Sequence, residues 1–389
     1  MRALFDYQAF EMQKIGGVSR SYTELITHLR SLDCECTISV KESDNVHLKE
    51  SRLLSPLYPL YFHHDRLFGG EKMFKGQRTI TRGIIRLLGY SKDCLQFNKD
   101  YSIKLLKKQE FDVFEPTFFD SYFLPYLKGK PFVMTVHDMI PELYPKYFSR
   151  DDFQIIQKRT LCPIASHIHV PSKRTKEDLV NILSIPPERI TIIPHGGPHI
   201  YKGWDLNEKL FPFPYLLYVG DRFGYKNFIP WLKSLASIVR DFNDVHIVCT
   251  GKPFTDEEMK LINSLHIGNN VVHYFATEES FGRLYHNAIA FVYPSSYEGF
   301  GLPILEAFAY GCPVMLNNAS CFPEVGGDAA LYFSIKDGQS DFYEQFQYLY
   351  TMSSEDRLHL IHKGEKRLSL YSWDNAANRL LSIYNSLEY

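Results

Sequence analysis

Little in this sequence marks it for a metal, a disulfide or a membrane span. Its seven cysteines are odd in number and scattered through 389 residues. Cys34 and Cys36 are too close together for a Cys-x-x-Cys site, and no Cys/His spacing fits zinc, so the cysteines read as reduced, small apolar residues. No Asp-x-Asp occurs anywhere, and no bound metal is expected. The Gly-x-Gly-x-x-Gly dinucleotide fingerprint is missing, and Gly251-Lys252-Pro253 cannot be a P-loop because Gly-Lys-[Ser/Thr] is missing. No apolar run reaches the ~18 residues of a spanning helix. The first ten residues read as a strand-like run and not as a signal peptide, which gives a cytosolic expectation. A net charge of −2 makes no case for nucleic acid as a partner.

What is present is an α/β pattern long enough for two domains. Ala288 to Tyr293 is an apolar run that reads as a buried parallel strand. Gly299 and Gly301 make a tight turn after it, Pro303 suits a helix start, and Gly311 with Pro313 ends that helix. A strand, glycine turn and helix in that order aim helix N–H groups and the positive end of the helix dipole beyond the strand. Phosphate suits that place. Glu298 on the turn and Glu306 on the helix are acceptors for sugar hydroxyls. Phosphate cradle and hydroxyl acceptors together point to a nucleotide sugar. The plainer reading is an ordinary strand-turn-helix corner.

Other stretches repeat the pattern. Arg2 to Tyr7 reads as the first strand, followed by Gly16-Gly17 and a helix. Further strands are predicted at 36–40, 112–119, 131–138, 168–171 and 191–194. His137 and His195 fall at strand ends, the edge where open α/β sheets bind ligands. A proline- and glycine-bearing linker spans 198–213. Tyr215 to Val219 then opens a second set of strands, at 245–250, 271–275, 288–293, 313–316 and 330–333. Arg222 and Lys226 sit in the loop after its first strand, where cations suit an anionic leaving group. Helices are predicted at 173–183, 228–239, 278–287, 342–350, 355–367 and 375–389.

The run Glu298-Gly-Phe-Gly-Leu-Pro-Ile-Leu-Glu306, with seven residues between its glutamates, resembles the signature of glycosyltransferase family 4. So do Thr135-Val136-His137-Asp138-Met139-Ile140-Pro141, His195-Gly196-Gly197 and Gly220-Asp221-Arg222-Phe223-Gly224-Tyr225-Lys226-Asn227. The resemblance implies a retaining enzyme of GT-B fold: two facing Rossmann-like, doubly wound α/β domains, with a C-terminal helix crossing back to the first. The expected boundaries are 1–200, completed by about 373–389, for the acceptor domain and 212–372 for the nucleotide-sugar domain. It implies catalytic roles for His137, Arg222, Lys226 and Glu298. Donor contacts fall to Gly16, Gly17, His195, Phe300, Gly301, Leu302 and Glu306. No cofactor is implied, because the nucleotide diphosphate sugar is a substrate. GDP-mannose is the first expectation and a UDP-sugar the second, since the motifs resemble bacterial surface-polysaccharide mannosyltransferases. The acceptor is a saccharide or a lipid-linked saccharide. A sugar-nucleotide epimerase and a non-catalytic nucleotide-sugar-binding module are the alternatives.

One stretch stands apart. Residues 45–92 interleave Tyr58, Tyr61, Phe62, Phe68 and Phe74 with nine Lys and Arg against three acids. That pattern suggests peripheral contact with an anionic membrane, at the inner face of the plasma membrane. A solvated insertion is the plainer reading.

Overall fold

The computed structural model describes residues 1–54, 94–200, 205–336 and 339–387. Most of the basic, aromatic stretch at 45–92 lies outside these residues.

Parallel strands with four buried residues in a row build the second half. β7 (Tyr215–Tyr218), β10 (Ala290–Tyr293) and β11 (Val314–Asn317) are each buried throughout. Strands covered on both faces need no polar alternation, which is why they read as continuous apolar runs. With β8 (His246–Cys249), β9 (Val271–His273) and β12 (Ala330–Phe333) they form one sheet of order β12-β11-β10-β7-β8-β9. This is the doubly wound order, and its switch point lies between β7 and β10. One core cluster on this sheet includes Phe291, Ile304, Leu305 and Phe308, and another includes Trp231, Leu235, Ile238 and Phe346.

The first half is built the same way. β1 (Arg2–Phe5), β2 (Glu35–Ile38) and β3 (Val113–Glu115) pair in the order β2-β1-β3, and β4 (Val133–Thr135), β5 (His167–Val170) and β6 (Ile190–Ile192) follow in sequence. A parallel bridge from Phe114 to Phe132 joins the two runs. The switch point here lies between β1 and β3.

Helix α1 (Gly17–Ser31) covers β1 and turns Tyr22, Leu25, Ile26 and Leu29 inward, a spacing of three and four that gives one apolar face. Against it packs the last described helix, Trp373–Ser386, whose Ser372 hydroxyl accepts from the Asn375 N–H. Its Trp373, Ala376, Ala377, Leu380, Ile383 and Tyr384 belong to the same core as Phe5 and Tyr22. The chain end therefore crosses back to the first half.

The α-helices outside the sequence expectation are Gln8–Met12, Val46–Glu50, Cys94–Lys108, Ile140–Leu143, Phe153–Leu161, Phe322–Gly326 and Asp256–Ser264. The last has a capping box in which Thr255 and Glu258 satisfy each other's backbone N–H groups.

Candidate active site

The carboxyl ends of the two sheets face each other. The glycine turn after β10 meets the loop after β4. Gly299 lies so close to the His137 carbonyl that a Cβ there would collide with it. Gly301 has φ +93°, a left-handed conformation that glycine adopts without strain, and caps helix α2 (Leu302–Ala309). Across the gap, Leu302 lies 3.6 Å from where a Cβ on Gly17 would stand.

Lys226 and Glu298 come together beside the switch point of the second sheet. Nζ lies 2.6 Å from Oε1, with both side chains mostly covered. Burial pushes the ammonium towards neutrality, but the Glu298 carboxylate and the Tyr225 hydroxyl outweigh it, so the lysine pKa lies above its ordinary value. Lys226 therefore stays charged at neutral pH. The Glu298 backbone is fixed as well. Its N–H donates to Ser320 Oγ at 3.1 Å, and its carbonyl accepts from that hydroxyl at 2.8 Å and from Cys321 Sγ at 3.2 Å.

Glu306 also has partners. Arg20 of α1 reaches across and places Nη1 2.6 Å from Oε1, and the Tyr285 hydroxyl donates to Oε2 at 3.1 Å. A carboxylate has about four lone-pair sites, so both oxygens keep acceptor capacity for sugar hydroxyls.

His137 and His195 stand 6.2 Å apart, ring to ring. Burial, with His169 and Lys158 nearby, lowers the His137 pKa to about 3. Its Nε2 is buried and has no hydrogen-bond partner, a neutral ring atom free to meet a hydroxyl. Burial and the nearby His137, His169 and Arg20 also hold His195 well below the ordinary value. The His195 ring packs 5.0 Å from Phe300 and 5.5 Å from Trp373. Phe300, 4% exposed, spends its ring on His195 and Tyr371.

Arg222 does not join Lys226. Its Nε lies 2.8 Å from Glu258 Oε1, and its Nη2 donates to the Lys252 and Pro253 carbonyls. Its ring neighbours are Phe254 and Phe228. The third guanidinium nitrogen, Nη1, is buried and has no hydrogen-bond partner among the described residues. Arg20 was the residue that sequence reading passed over. Its only signal is its position, three residues after the Gly-Gly pair. Among the described residues, no group of three or more His, Cys, Asp or Glu is arranged to hold a metal. Nor is any helix among them long and apolar enough to cross a membrane.

Solved structures share this architecture. HepE of Anabaena, in complex with UDP-glucose, superposes with a TM-score of 0.68 at 14% identity over 100% of both chains. A glycosyltransferase of Rickettsia africae superposes with a TM-score of 0.65 at 14% identity, over 99% of this chain and 97% of that one. The fold is that of the GT-B glycosyltransferases. Residues 15–197 match the family model described as Glycosyltransferase Family 4, and 207–367 match the one described as Glycosyl transferases group 1. The chain belongs to glycosyltransferase family 4. The O-antigen chain mannosyltransferase RfbU of Salmonella typhimurium is 28% identical over 220 residues, 56% of this chain and 60% of that protein. The O-antigen chain mannosyltransferase B of Escherichia coli is 36% identical over 113 residues, 29% of each chain. The match to the Salmonella protein thus spans less than two thirds of that relative's length.

Proposed function

We propose that this chain is a retaining glycosyltransferase that moves mannose from GDP-mannose to a saccharide or lipid-linked saccharide during surface-polysaccharide synthesis. The observation that carries this reading is the charged Lys226–Glu298 pair at one sheet's switch point, on the turn whose Gly299 lies against the His137 carbonyl of the other half. Departure of a nucleoside diphosphate builds negative charge on its phosphate oxygens. Lys226 and the start of α2 supply positive charge there, and preorganised charge of this kind is usually the largest catalytic contribution. Glu298 keeps Lys226 aligned and offers its other oxygen to the sugar. Glu306 receives the ribose hydroxyls, and His137 receives a hydroxyl of the transferred sugar. Glu298 is already engaged by Lys226, so no protein nucleophile is assigned. The acceptor attacks from the leaving-group face and passes its proton to the donor phosphate.

The names of the two relatives favour mannose. A UDP-sugar is the second reading, supported by the UDP-glucose held by HepE. A thermal-shift screen separates them. A ligand at a hundred times its Kd stabilises by about 2.7 kcal/mol, worth roughly 5–10 °C for a domain of this size. GDP-mannose is expected to give that shift, and UDP-, ADP- and dTDP-sugars less. A flat response to every nucleotide sugar would overturn the assignment.

Because side-chain and helix-end charge serves the diphosphate, activity is expected to persist in EDTA. A strict requirement for Mn²⁺ or Mg²⁺ would contradict that division of labour.

A further inference from the structure

The turn that presents Lys226 is covered by rings from the other half of the molecule. Residues 224–226 form a single helical turn. On its own side it is held by Lys226 N–H to the Phe223 carbonyl at 2.8 Å, and by Ser296 N–H to the Tyr225 carbonyl at 2.8 Å. From the first half, Tyr144, Tyr147 and Phe148 arrive just after the short helix Ile140–Leu143. Tyr147 lies 5.2 Å from Phe223, Tyr144 lies 5.6 Å from Tyr225, and Phe148 lies 6.3 Å from Phe223, ring to ring. Tyr144 also meets Tyr297 of the signature turn at 6.3 Å.

The tightest of these approaches is at Gly224. A Cβ there would run into the face of the Tyr147 ring. Its φ of +20° lies at the edge of the region that favours glycine. Tyr147 thus rests on backbone two residues before Lys226, at the start of the turn that aims it. Aromatic pairs at these separations attract beyond simple area burial.

We propose that Tyr147 is a positioning residue: seated from the first domain on Gly224, it sets the turn that presents Lys226 to the donor diphosphate. The anion site is then complete only when the two domains lie against each other. This rests on the function proposed above. The ring itself does the seating, so Tyr147→Phe keeps the effect and Tyr147→Ala loses it.

The test uses the full chain and four variants: Tyr147→Phe, Tyr147→Ala, Gly224→Ala and the Tyr147→Ala/Gly224→Ala double. Hydrogen exchange over residues 222–227, without ligand, reads the turn. Calorimetry with GDP and UDP reads the anion site. Tyr147→Ala is expected to speed exchange there and weaken nucleoside diphosphate binding, each about tenfold, while Tyr147→Phe matches the parent protein. Gly224→Ala is expected to do less harm in the Tyr147→Ala background, because the collision is gone and only the backbone strain remains. Parent-like exchange and affinity in Tyr147→Ala, or equal Gly224→Ala losses in both backgrounds, would overturn the assignment. If the parent protein binds neither GDP nor UDP, the functional reading falls. Exchange and the double-variant comparison then still decide whether Tyr147 sets the turn.

Discussion

Lys226→Ala is expected to lower kcat/KM for glycosyl transfer by about 10²–10³-fold, the loss found when one preorganised donor to a developing oxyanion is removed. The expectation follows from where the ammonium sits. It lies 2.6 Å from Glu298, largely buried, and carries a raised pKa. A charge held in a covered site acts on a leaving phosphate more strongly than a solvated one. Most of the loss should appear in kcat, because the phosphate charge is greatest in the transition state. Lys226→Arg is expected to fail as a rescue. The guanidinium is a planar fork and cannot replace a compact point charge within the same contact with Glu298. Steady-state kinetics with saturating acceptor decide the matter. Parent-like turnover in Lys226→Ala would remove this residue from leaving-group stabilisation.

Lys158→Met is expected to lower the unfolding midpoint of the first domain by roughly 10 °C. Lys158 lies on the helix Phe153–Leu161 and is fully buried, with Nζ 2.7 Å from Glu142 Oε2, itself 2% exposed. Its second bond, to the Asp138 carbonyl at 3.2 Å, ties down the residue after His137. Removing the lysine leaves a carboxylate buried without a counter-charge, and breaking one side of such a pair costs about 3–5 kcal/mol. For a domain of this size that converts to a shift of several degrees or more. The double variant Lys158→Met/Glu142→Leu restores much of the loss, since an apolar pair of similar volume is often as stable as the ion pair. Circular dichroism and calorimetry on the three proteins test both parts. A double variant no better than the single would place the cost in shape and not in the stranded charge.

How much of this was legible in the sequence depends on range. The strand, turn and helix around Glu298 were readable because their causes are local: an apolar run, glycines where the backbone turns, proline at the helix start. The paired sheets were readable for the same reason, strand by strand. Contacts across the cleft were not. Arg20 and Glu306 are separated by 286 positions, and no local rule brings a side chain of one domain to a carboxylate of the other. The fate of Arg222 lies between these cases. Thr255-x-x-Glu258 is a capping-box pattern, and it predicts the helix Asp256–Ser264. That helix holds the Glu258 carboxylate where Arg222 meets it. Read with that signal, Arg222 looks tethered from the start. The seating of Tyr147 on Gly224 had no such marker, because an aromatic loop residue and a glycine 77 positions later share nothing until the two domains meet.

The returning helix sets an order of assembly. Strands β7 to β12 come from one continuous stretch, and that half can close its sheet as soon as residues 215–333 are available. The other half cannot finish so early. Until residues 373–386 have been synthesised, Tyr22, Leu25, Ile26 and Leu29 of α1 lack part of their apolar cover. The buried Glu115 carboxylate also lacks the Tyr384 hydroxyl that bonds it. On the ribosome, the half that emerges first is therefore the half completed last.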